Sequence, residues 1–320
     1  MLRRALLALA LLAPSLAQAQ SFPTRPVTMT VGFAPGGPAD VIARLIAPAL
    51  AADLGQPVVV ENVAGAGGSI AQGRVTAARP DGHAILFGSL AQATIPTLYR
   101  SLAFDPLALE TIGLVNEVPM SVIARRDFPA ANLAEMAAVV RREGRRLNLG
   151  NAGVGSTSHL CSLLLQSAIG TAVTLIPYRG NGPMLTDLMA GTLDLGCDQT
   201  TNNAEQIRAG AIRGYAITTP TRVSALPNVP TTEEAGLPAM RMSGWNMLFA
   251  PPATPAPVLD RLNRALLAAL RDEAVTRRMV ELGSLPASGE RVTPPGAAAF
   301  WRAEVARWKP LLEAAGQFAD

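Results

Sequence analysis

The stretch NLGNAGVGSTSHL, residues 148–160, runs from a short apolar segment into a glycine-rich loop and then into a helix-forming run. Its glycines stand at positions 150, 153 and 155, and three hydroxyl residues follow them, Ser156, Thr157 and Ser158. Such a loop presents backbone N–H groups and hydroxyls at the N-terminus of a helix, where the partial positive charge attracts anions. The stretch therefore predicts a strand–loop–helix unit that holds an anion.

Short apolar strands alternate with amphipathic helices on both sides of this stretch. The predicted strands are residues 27–33, 58–61, 84–88, 147–150, 173–177, 193–197 and 215–218. The predicted helices are residues 39–54, 70–78, 160–169 and 183–190, and Pro48 is expected to kink or break the first of them. This alternation indicates an α/β fold in which mainly parallel sheets are flanked by helices on both faces.

Two segments interrupt the alternation, and we interpret them as crossings between two lobes. Residues 112–115 and 122–126 are predicted to be successive strands with no helix between them. Residues 244–250 form a further predicted strand, which the stiff segment APPATPAP follows, and helices over 258–271, 273–282 and 293–314 then return to the first lobe. The expected organisation is lobe 1 at residues 20–123 and 245–320, with lobe 2 at residues 124–244.

Residues 1–19 have the pattern of a cleaved signal peptide. Arg3 and Arg4 precede an apolar run, residues 5–12, which is too short to span a bilayer and is followed by Pro14. The sequence AQA at residues 17–19 then fits a signal-peptidase site, so the mature chain is expected to begin at Gln20. These features favour a soluble periplasmic protein over a retained membrane anchor.

Composition argues against several classes of partner. The formal net charge of +3 includes Arg3 and Arg4, so the mature chain carries 3 − 2 = +1, and no basic stripe with interleaved aromatic residues suggests nucleic-acid binding. The two histidines, His83 and His159, lack metal-ligand spacing, so neither a metal site nor a cofactor is expected. His83, in the sequence PDGHAIL, is expected to be a surface turn residue.

Two further glycine-rich loops follow predicted strands, GFAPGGPAD at residues 32–40 and ENVAGAGGS at residues 61–69. Ligands of open parallel sheets bind beyond the carboxyl ends of the strands, so three such loops at one edge favour a binding site over simple tight turns. Neither loop has the G-x-G-x-x-G spacing of a dinucleotide site. Two roles are expected for Asp40. It is either a first-turn carboxylate, which the helix dipole favours, or a hydrogen-bond anchor at the floor of the cleft.

Ser158 and His159 are adjacent, but neighbours on a helix lie about 100° apart and do not face each other. No G-x-S-x-G elbow is present, so the serines are interpreted as helix caps and hydroxyl donors rather than nucleophiles. Cys161 and Cys197 fall at a predicted helix start and a predicted strand end. They are expected either to form a disulfide or to be two small buried apolar side chains.

Long motifs across the mature chain resemble the Bug-type substrate-binding receptors of tripartite tricarboxylate transporters. The motifs are FPTRPVTMTVGFAPGGPADVIAR, GQPVVVENVAGAGGSIA, ARPDGHAILFGS, AGVGSTSHL, PYRGNGPMLTDLMAGTLDL, LPNVPTTEEAGLP and APPATPAPVLDRLNRAL. The resemblance implies a two-lobe Venus-flytrap fold that holds a small organic carboxylate in the cleft through backbone amides, hydroxyls and bridging waters. It implies no chemical step, and it implies a monomer that delivers its ligand to membrane transporter subunits or to a sensor kinase.

The resemblance also implies a set of ligand contacts. In lobe 1 these are Phe33, Ala34, Gly36, Gly37 and Asp40, with Gly67, Gly68 and Ser89 nearby, and in lobe 2 they are Gly153, Ser156, Thr157, Ser158 and His159, with Tyr178 and Asp198. The sequence departs from the family pattern at His83, Arg179 and Ala34, where tyrosine, lysine and proline are common, so the identity of the carboxylate stays open. Two other functions are kept as alternatives: an exported serine-dependent hydrolase of a small carboxylate ester, and an interaction module with an empty cleft.

Overall fold

The computed structural model describes residues 22–316 and residue 318, so the predicted signal peptide and Gln20 lie outside the described residues. Within this part of the chain, ten strands form one continuous sheet system. The strands are β1 (Val27–Val31), β2 (Val58–Asn62), β3 (Ala84–Ser89), β4 (Glu110–Arg125), β5 (Asn148–Asn151), β6 (Thr174–Pro177), β7 (Leu195–Gln199), β8 (Ile212–Ile217), β9 (Ser243–Ala250) and β10 (Leu285–Pro286).

Helices follow most of these strands. They are α1 (Pro38–Leu54), α2 (Ser69–Thr76), α3 (Ala91–Leu98), α4 (Leu133–Glu143), α5 (Thr157–Ile169), α6 (Asn181–Met189), α7 (Thr200–Arg208), α8 (Ala256–Arg271), α9 (Glu273–Glu281) and α10 (Pro294–Ala315). No helix in the described part of the chain is both long enough and apolar enough to cross a membrane.

Lobe 1 is built on the strand order β2-β1-β3-β9-β4, and β10 pairs with β4. Strands β1, β2 and β3 run parallel, whereas β9 runs antiparallel to both of its neighbours. Helix α1 covers this sheet with Ile42, Ile46 and Leu50, all of them buried. Apolar side chains at this helical spacing explain why the segment forms a helix that packs on the sheet.

Lobe 2 is built on the strand order β8-β4-β7-β5-β6. Strand β5 pairs in parallel with β6 and β7, and β4 pairs antiparallel with β7 and β8. The carboxyl ends of β5, β6 and β7 therefore meet at one edge, and helices α5, α6 and α7 begin there. This edge faces the carboxyl ends of β1 and β3 in lobe 1 across a cleft, because residues from both edges line the same cavity.

Strand β4 belongs to both lobes. Residues from Glu110 to Pro119 pair with β9, whereas residues from Met120 to Arg125 pair with β7 and β8. The sequence-based expectation of two successive strands here is therefore wrong, because one 16-residue strand with buried residues along nearly its whole length runs through both sheets. The exact lobe boundaries at residues 123/124 and 244/245 stay a prediction.

Two local expectations are corrected by packing. Helix α1 is not broken at Pro48, which lies on the exposed side of a helix whose opposite face is buried on the sheet, and a kink there stays a prediction. His83 is not a surface residue: it is only 7% exposed, its ring packs edge-on against Phe22 at 5.1 Å, and its Nε2 accepts a hydrogen bond from Thr24 N. The segment before β1 covers His83, which the local turn sequence did not indicate.

Candidate binding cleft

A narrow cleft lies between the carboxyl-terminal strand edges of the two lobes. Its cavity has a volume of about 20 Å³, which is close to the room that one water molecule needs, so the two lobes are closed on each other. The lining residues are Phe33, Ala34, Gly37, Pro38, Ala39 and Ser89 from lobe 1, and Thr157, Ser158, Gly180, Asn181 and Gln199 from lobe 2.

Four helices begin at this cleft. Gly37 caps α1, Ser156 caps α5, Gly180 caps α6 and Gln199 caps α7. Each helix N-terminus carries unpaired N–H groups and a partial positive charge of roughly half an elementary charge. None of the eleven lining residues has a charged side chain. The arrangement therefore favours an anion through backbone dipoles rather than through an ion pair.

The loop after β1 is held by the carboxylate of Asp40. Asp40 is 3% exposed, and its oxygens accept hydrogen bonds from Gly36 N at 2.9 Å, Arg44 Nε at 2.9 and 3.0 Å, and Asn62 Nδ2 at 2.9 Å. Asn62 Nδ2 also donates to Phe33 O. Burial raises the pKa of Asp40, but these donors outweigh burial and leave the pKa below its ordinary value. Asp40 therefore positions the loop and does not line the cleft.

The loop after β5 is held by serine hydroxyls. Ser156 Oγ accepts from His159 N at 3.2 Å and lies 3.1 Å from Ser158 Oγ, which in turn accepts from Ala152 N at 2.7 Å. His159 Nδ1 accepts from Gly155 N at 3.2 Å. These contacts fix the curve of the loop and the start of α5. Ser156 is thus the helix cap that the sequence predicted, whereas the predicted role of the serines as hydroxyl donors stays a prediction.

Asn181 and Gln199 form part of the lobe 2 wall, and a buried carboxyl group lies behind them. Asp198, which is fully buried, accepts from Asn181 Nδ2, from Gln199 N at 2.7 Å and from Asn202 Nδ2 at 2.6 Å. Burial raises the pKa of Asp198 to about 7, although the three donors oppose that rise. Asp198 thus orients the side chain of Asn181, which lines the cleft, and Asp198 itself lies one layer behind Asn181.

The remaining predicted contacts surround the lining residues. Ser89 is at the end of β3, where its Oγ accepts from Ala91 N. Gly67 and Gly68 have positive φ angles, and a Cβ at Gly67 would clash with Val154 O of lobe 2, so glycine is required for the close approach of the lobes. Gly153 also has a positive φ, and the Tyr178 hydroxyl donates to Asp187 at 2.7 Å.

The structure thus brings six of the predicted residues to the cleft surface: Phe33, Ala34, Gly37, Ser89, Thr157 and Ser158. It places Gly36, Asp40, Gly67, Gly68, Gly153, Ser156, His159, Tyr178 and Asp198 outside the lining. Sequence reasoning missed Pro38, Ala39, Gly180, Asn181 and Gln199. A signal was present for two of these, because Asn181 and Gln199 are polar residues at or just beyond the ends of β6 and β7.

Cys161 and Cys197 are joined by a disulfide, with their Cα atoms 5.7 Å apart. Cys161 lies in the second turn of α5, and Cys197 lies in β7 directly before Asp198. The bond therefore ties the serine-bearing helix to the strand that carries Asp198 and Gln199. Both sulfur-bearing side chains are fully buried.

Comparison with known proteins agrees with this architecture. A UPF0065 protein from the TAR-I ttuE–ttuC' intergenic region of Agrobacterium vitis is 43% identical over 315 residues, which cover 98% of this chain and 91% of the relative. The solved structure of the periplasmic binding protein BugD superposes with a TM-score of 0.89 at 41% identity, covering 93% of this chain and all of BugD. The MatC protein of Rhodopseudomonas palustris, solved with bound malate, has a TM-score of 0.87 at 38% identity, covering 91% of this chain and all of MatC.

These matches confirm the two-lobe α/β fold of periplasmic binding proteins that the sequence predicted. Residues 42–317 match the TctC family, whose description is the tripartite tricarboxylate transporter family receptor. The chain belongs to this family of Bug-type solute-binding receptors.

Proposed function

We propose that this protein is a periplasmic receptor that captures a small organic carboxylate in the cleft and delivers it to a tripartite transporter or reports it to a sensor. The observation that carries the proposal is the convergence of four helix N-termini on a cleft whose lining has no charged side chain. Backbone N–H groups at helix N-termini are well suited to carboxylate oxygens. The malate bound in MatC, a relative of the same fold, supports a carboxylate ligand.

The proposed mechanism is closure of the two lobes around the ligand. The ligand would contact the start of α1 in lobe 1 and the starts of α5 and α6 in lobe 2 at the same time. A ligand that bridges both walls binds the closed state more tightly than the open state, and this difference in affinity shifts the population toward closure. The proposed role includes no chemical step, because Ser158 and His159 make contacts that brace the loop.

Carboxylate binding to the purified mature protein is the direct test. We expect a carboxylate panel that includes malate to raise the melting temperature, and calorimetry to give one site per chain. No thermal shift with any carboxylate would contradict the proposal and favour an interaction module. Conversion of a bound carboxylate or carboxylate ester during long incubation would contradict the absence of a chemical step.

The double substitution Ser156→Ala with Thr157→Ala tests the lobe 2 loop. We expect it to weaken carboxylate binding by about 1–3 kcal/mol, because hydroxyl groups are removed from a desolvated site. The matched control is Ser167→Ala with Thr171→Ala, which removes one hydroxyl in the last turn of the same helix and one just beyond its end. Calorimetry measures the affinities, and melting temperatures of the ligand-free variants separate a loss of helix capping from a loss of binding. Equal affinity in both double variants would show that these hydroxyls only cap the helix.

The proposed periplasmic location has its own measurement. The family consists of periplasmic binding proteins, and we expect mass spectrometry of the periplasmic fraction to find a mature chain that begins at Gln20. Recovery of the chain with Met1 in place would contradict the proposed cleavage.

A further inference from the structure

A second cavity, apart from the cleft, lies between the two lobes, and we call it the rear groove. One of its walls is formed by Arg208, Ser224 and Ala225, and the other is formed by six residues of α9, among them Thr276. Its volume is about 780 Å³. The cleft has a volume of about 20 Å³. The rear groove is therefore wide in a structure in which the cleft is shut.

The two walls of the rear groove belong to different lobes. Val275 and Met279 of α9 are buried in the core that contains Met29 of β1 and Phe87 of β3, so α9 is fixed to lobe 1. Ala225 is buried in a separate cluster with Ile217 of β8, so its segment is fixed to lobe 2. Each wall moves with its own lobe, and a change in the angle between the lobes therefore changes the width of the groove.

A row of buried contacts separates the cleft from the rear groove. Gln199 lines the cleft, and the next residue, Thr200, is fully buried with its Oγ1 2.7 Å from Gly283 O and 3.0 Å from Pro119 O. A Cβ on Gly283 would lie 3.0 Å from Thr200 Cβ and 3.6 Å from Ala225 Cβ, and Ala225 lines the groove. Lobe 1 and lobe 2 therefore touch at Thr200, Gly283 and Ala225, with the cleft on one side and the rear groove on the other.

The chain crossings are braced beside this row. Thr218, which is fully buried, accepts at Oγ1 from Met120 N at 3.1 Å and donates from Oγ1 to Met242 O at 2.7 Å. Met120 stands where β4 passes from one sheet to the other, and Met242 directly precedes β9. These contacts make the crossing a pivot. Two bodies that turn about a pivot between two openings widen one opening as they narrow the other.

We propose that the rear groove is a conformational control that opposes the cleft: the cleft opens only as the groove narrows, so bulk placed in the groove favours the closed lobes. The control acts at a distance from the ligand-binding wall, because none of the groove residues lines the cleft. It sets the balance between open and closed lobes in the ligand-free protein. A shift of that balance toward closure strengthens the binding of any ligand that prefers the closed state.

Two tryptophan substitutions, one on each wall, test the proposal in the ligand-free mature protein. Thr276→Trp fills the groove from lobe 1, and Ser224→Trp fills it from lobe 2, with the bulkiest side chain available. Amide hydrogen exchange at residues 33–37 and 153–158, on the two facing edges of the cleft, measures the population of the open state. We expect both variants to slow this exchange at least about threefold, because the indole ring obstructs the narrowing of the groove.

Each substitution has a control on the same segment. Ala274→Trp places the same side chain on an exposed position of α9, and Thr221→Trp places it on an exposed position before Ser224, both outside the groove lining. We expect wild-type exchange in both controls. In Thr276→Trp and Ser224→Trp, dissociation of any carboxylate that binds the wild type should slow by the same factor as the exchange.

Exchange at the wild-type rate or faster in either groove variant, when its melting temperature shows that it is folded, overturns the proposal. Equal slowing in a groove variant and its control also overturns it, because the effect would then come from tryptophan itself. The exchange measurement needs no ligand, so its outcome is independent of whether the protein binds a carboxylate.

Discussion

Asp198 is a carboxyl group that burial pushes toward the neutral form, although three N–H donors hold it. The pKa of Asp198 is about 7 in the folded chain, whereas the ordinary pKa of an aspartate side chain is 3.8. At pH values between these two, the folded state therefore binds more protons than the unfolded state. The contribution of Asp198 to the free energy of unfolding is therefore lost as pH rises from about 4 to about 7. Below pH 4 both states are protonated, and this group has no further effect.

The substitution Asp198→Asn should remove that part of the pH dependence. Between pH 4 and pH 7, we expect the free energy of unfolding to fall less in the variant than in the wild type. The difference between the two decreases is on the order of 3–4 kcal/mol at most. Denaturant unfolding at several pH values measures the difference. The exposed Asp260→Asn is the matched control. Parallel pH profiles for Asp198→Asn and wild type would show that Asp198 stays ionised throughout.

Asp40 is predicted to act on binding through the loop that it holds. The substitution Asp40→Asn weakens the hydrogen bonds from Gly36 N and Arg44, so we expect carboxylate affinity to fall about tenfold because the loop must be ordered on binding. Amide hydrogen exchange at residues 33–37 of the ligand-free variant should become faster. Asp53→Asn, which removes an ion pair to Arg261 at the other end of α1, is the control. Unchanged exchange and affinity would refute this role for Asp40.

Residue identity could be predicted from the sequence better than residue orientation. The glycine-rich loops predicted Phe33, Gly37, Thr157 and Ser158 at the strand edge, because loop chemistry is local. Side-chain direction at the end of β7 is not local: Asp198 and Gln199 are neighbours on a strand and point to opposite faces. The packing of β7 beside β4 and β5 decides whether Asp198 or Gln199 lines the cleft. The resemblance pointed to Asp198, whereas Gln199 is the member of the pair that lines the cleft.

At the scale of elements, the disulfide links α5 to β7. Its 36-residue loop corresponds to roughly 3–4 kcal/mol in the chain-entropy account. We expect the double substitution Cys161→Ala with Cys197→Ala to lower the free energy of unfolding by about that amount and to weaken ligand binding, because α5 and β7 both carry residues of the lobe 2 wall. Chemical denaturation and calorimetry measure the two effects.

Reduction supplies the control for the disulfide. A reducing agent under unfolding conditions should lower the stability of the wild type to that of the double variant and should leave the variant unchanged. Peptide mapping without reductant should recover Cys161 and Cys197 in one linked pair. Two free thiols in periplasmic protein would contradict the bond.

Most strands and several helices were predicted within a few residues, whereas β4 was predicted as two pieces and helices α3, α4 and α7 were not predicted. Helix α9, predicted at residues 273–282, spans Glu273–Glu281. Strand β4 was predicted as two pieces because residues 116–121, NEVPMS, include polar residues and a proline that read as a break. In the structure Pro119 stands where the pairing partners of β4 change, and Asn116 is buried with its Nδ2 donating to Ser284 Oγ. Tertiary partners thus make this stretch part of one strand.

At the scale of the whole molecule, a direct hydrogen bond crosses the cleft beside the candidate site. Thr94 Oγ1 of α3 lies 2.9 Å from Gly155 O of the lobe 2 loop and 2.9 Å from Ala91 O of its own helix, so its one proton is shared between two carbonyl groups, and Thr94 is fully buried. This contact exists only when the lobes are closed. It therefore stabilises closure independently of the ligand, by at most about 1 kcal/mol, because Ala91 O still accepts from the hydroxyl when the lobes are open.

The substitution Thr94→Val should shift the population toward the open state by up to about fivefold, because valine keeps the shape and removes the donor. We expect a larger radius of gyration in ligand-free small-angle scattering and faster dissociation of the carboxylate. Thr76→Val is the matched control, since Thr76 Oγ1 donates to Gln72 O within α2 of lobe 1. Identical scattering and dissociation for Thr94→Val and wild type would show that closure does not depend on this bond.

The position of β9 has a consequence for biogenesis. This strand lies between β3 and β4 in the sheet, yet it follows every strand of lobe 2 along the chain. During synthesis, β3 and the first half of β4 therefore stay without the partner that separates them until residues 243–250 have emerged. Such unpaired edges are templates for association with other chains. Nascent chains that stop before Ser243 should thus depend on chaperones to remain soluble, even when all of lobe 2 has already been made.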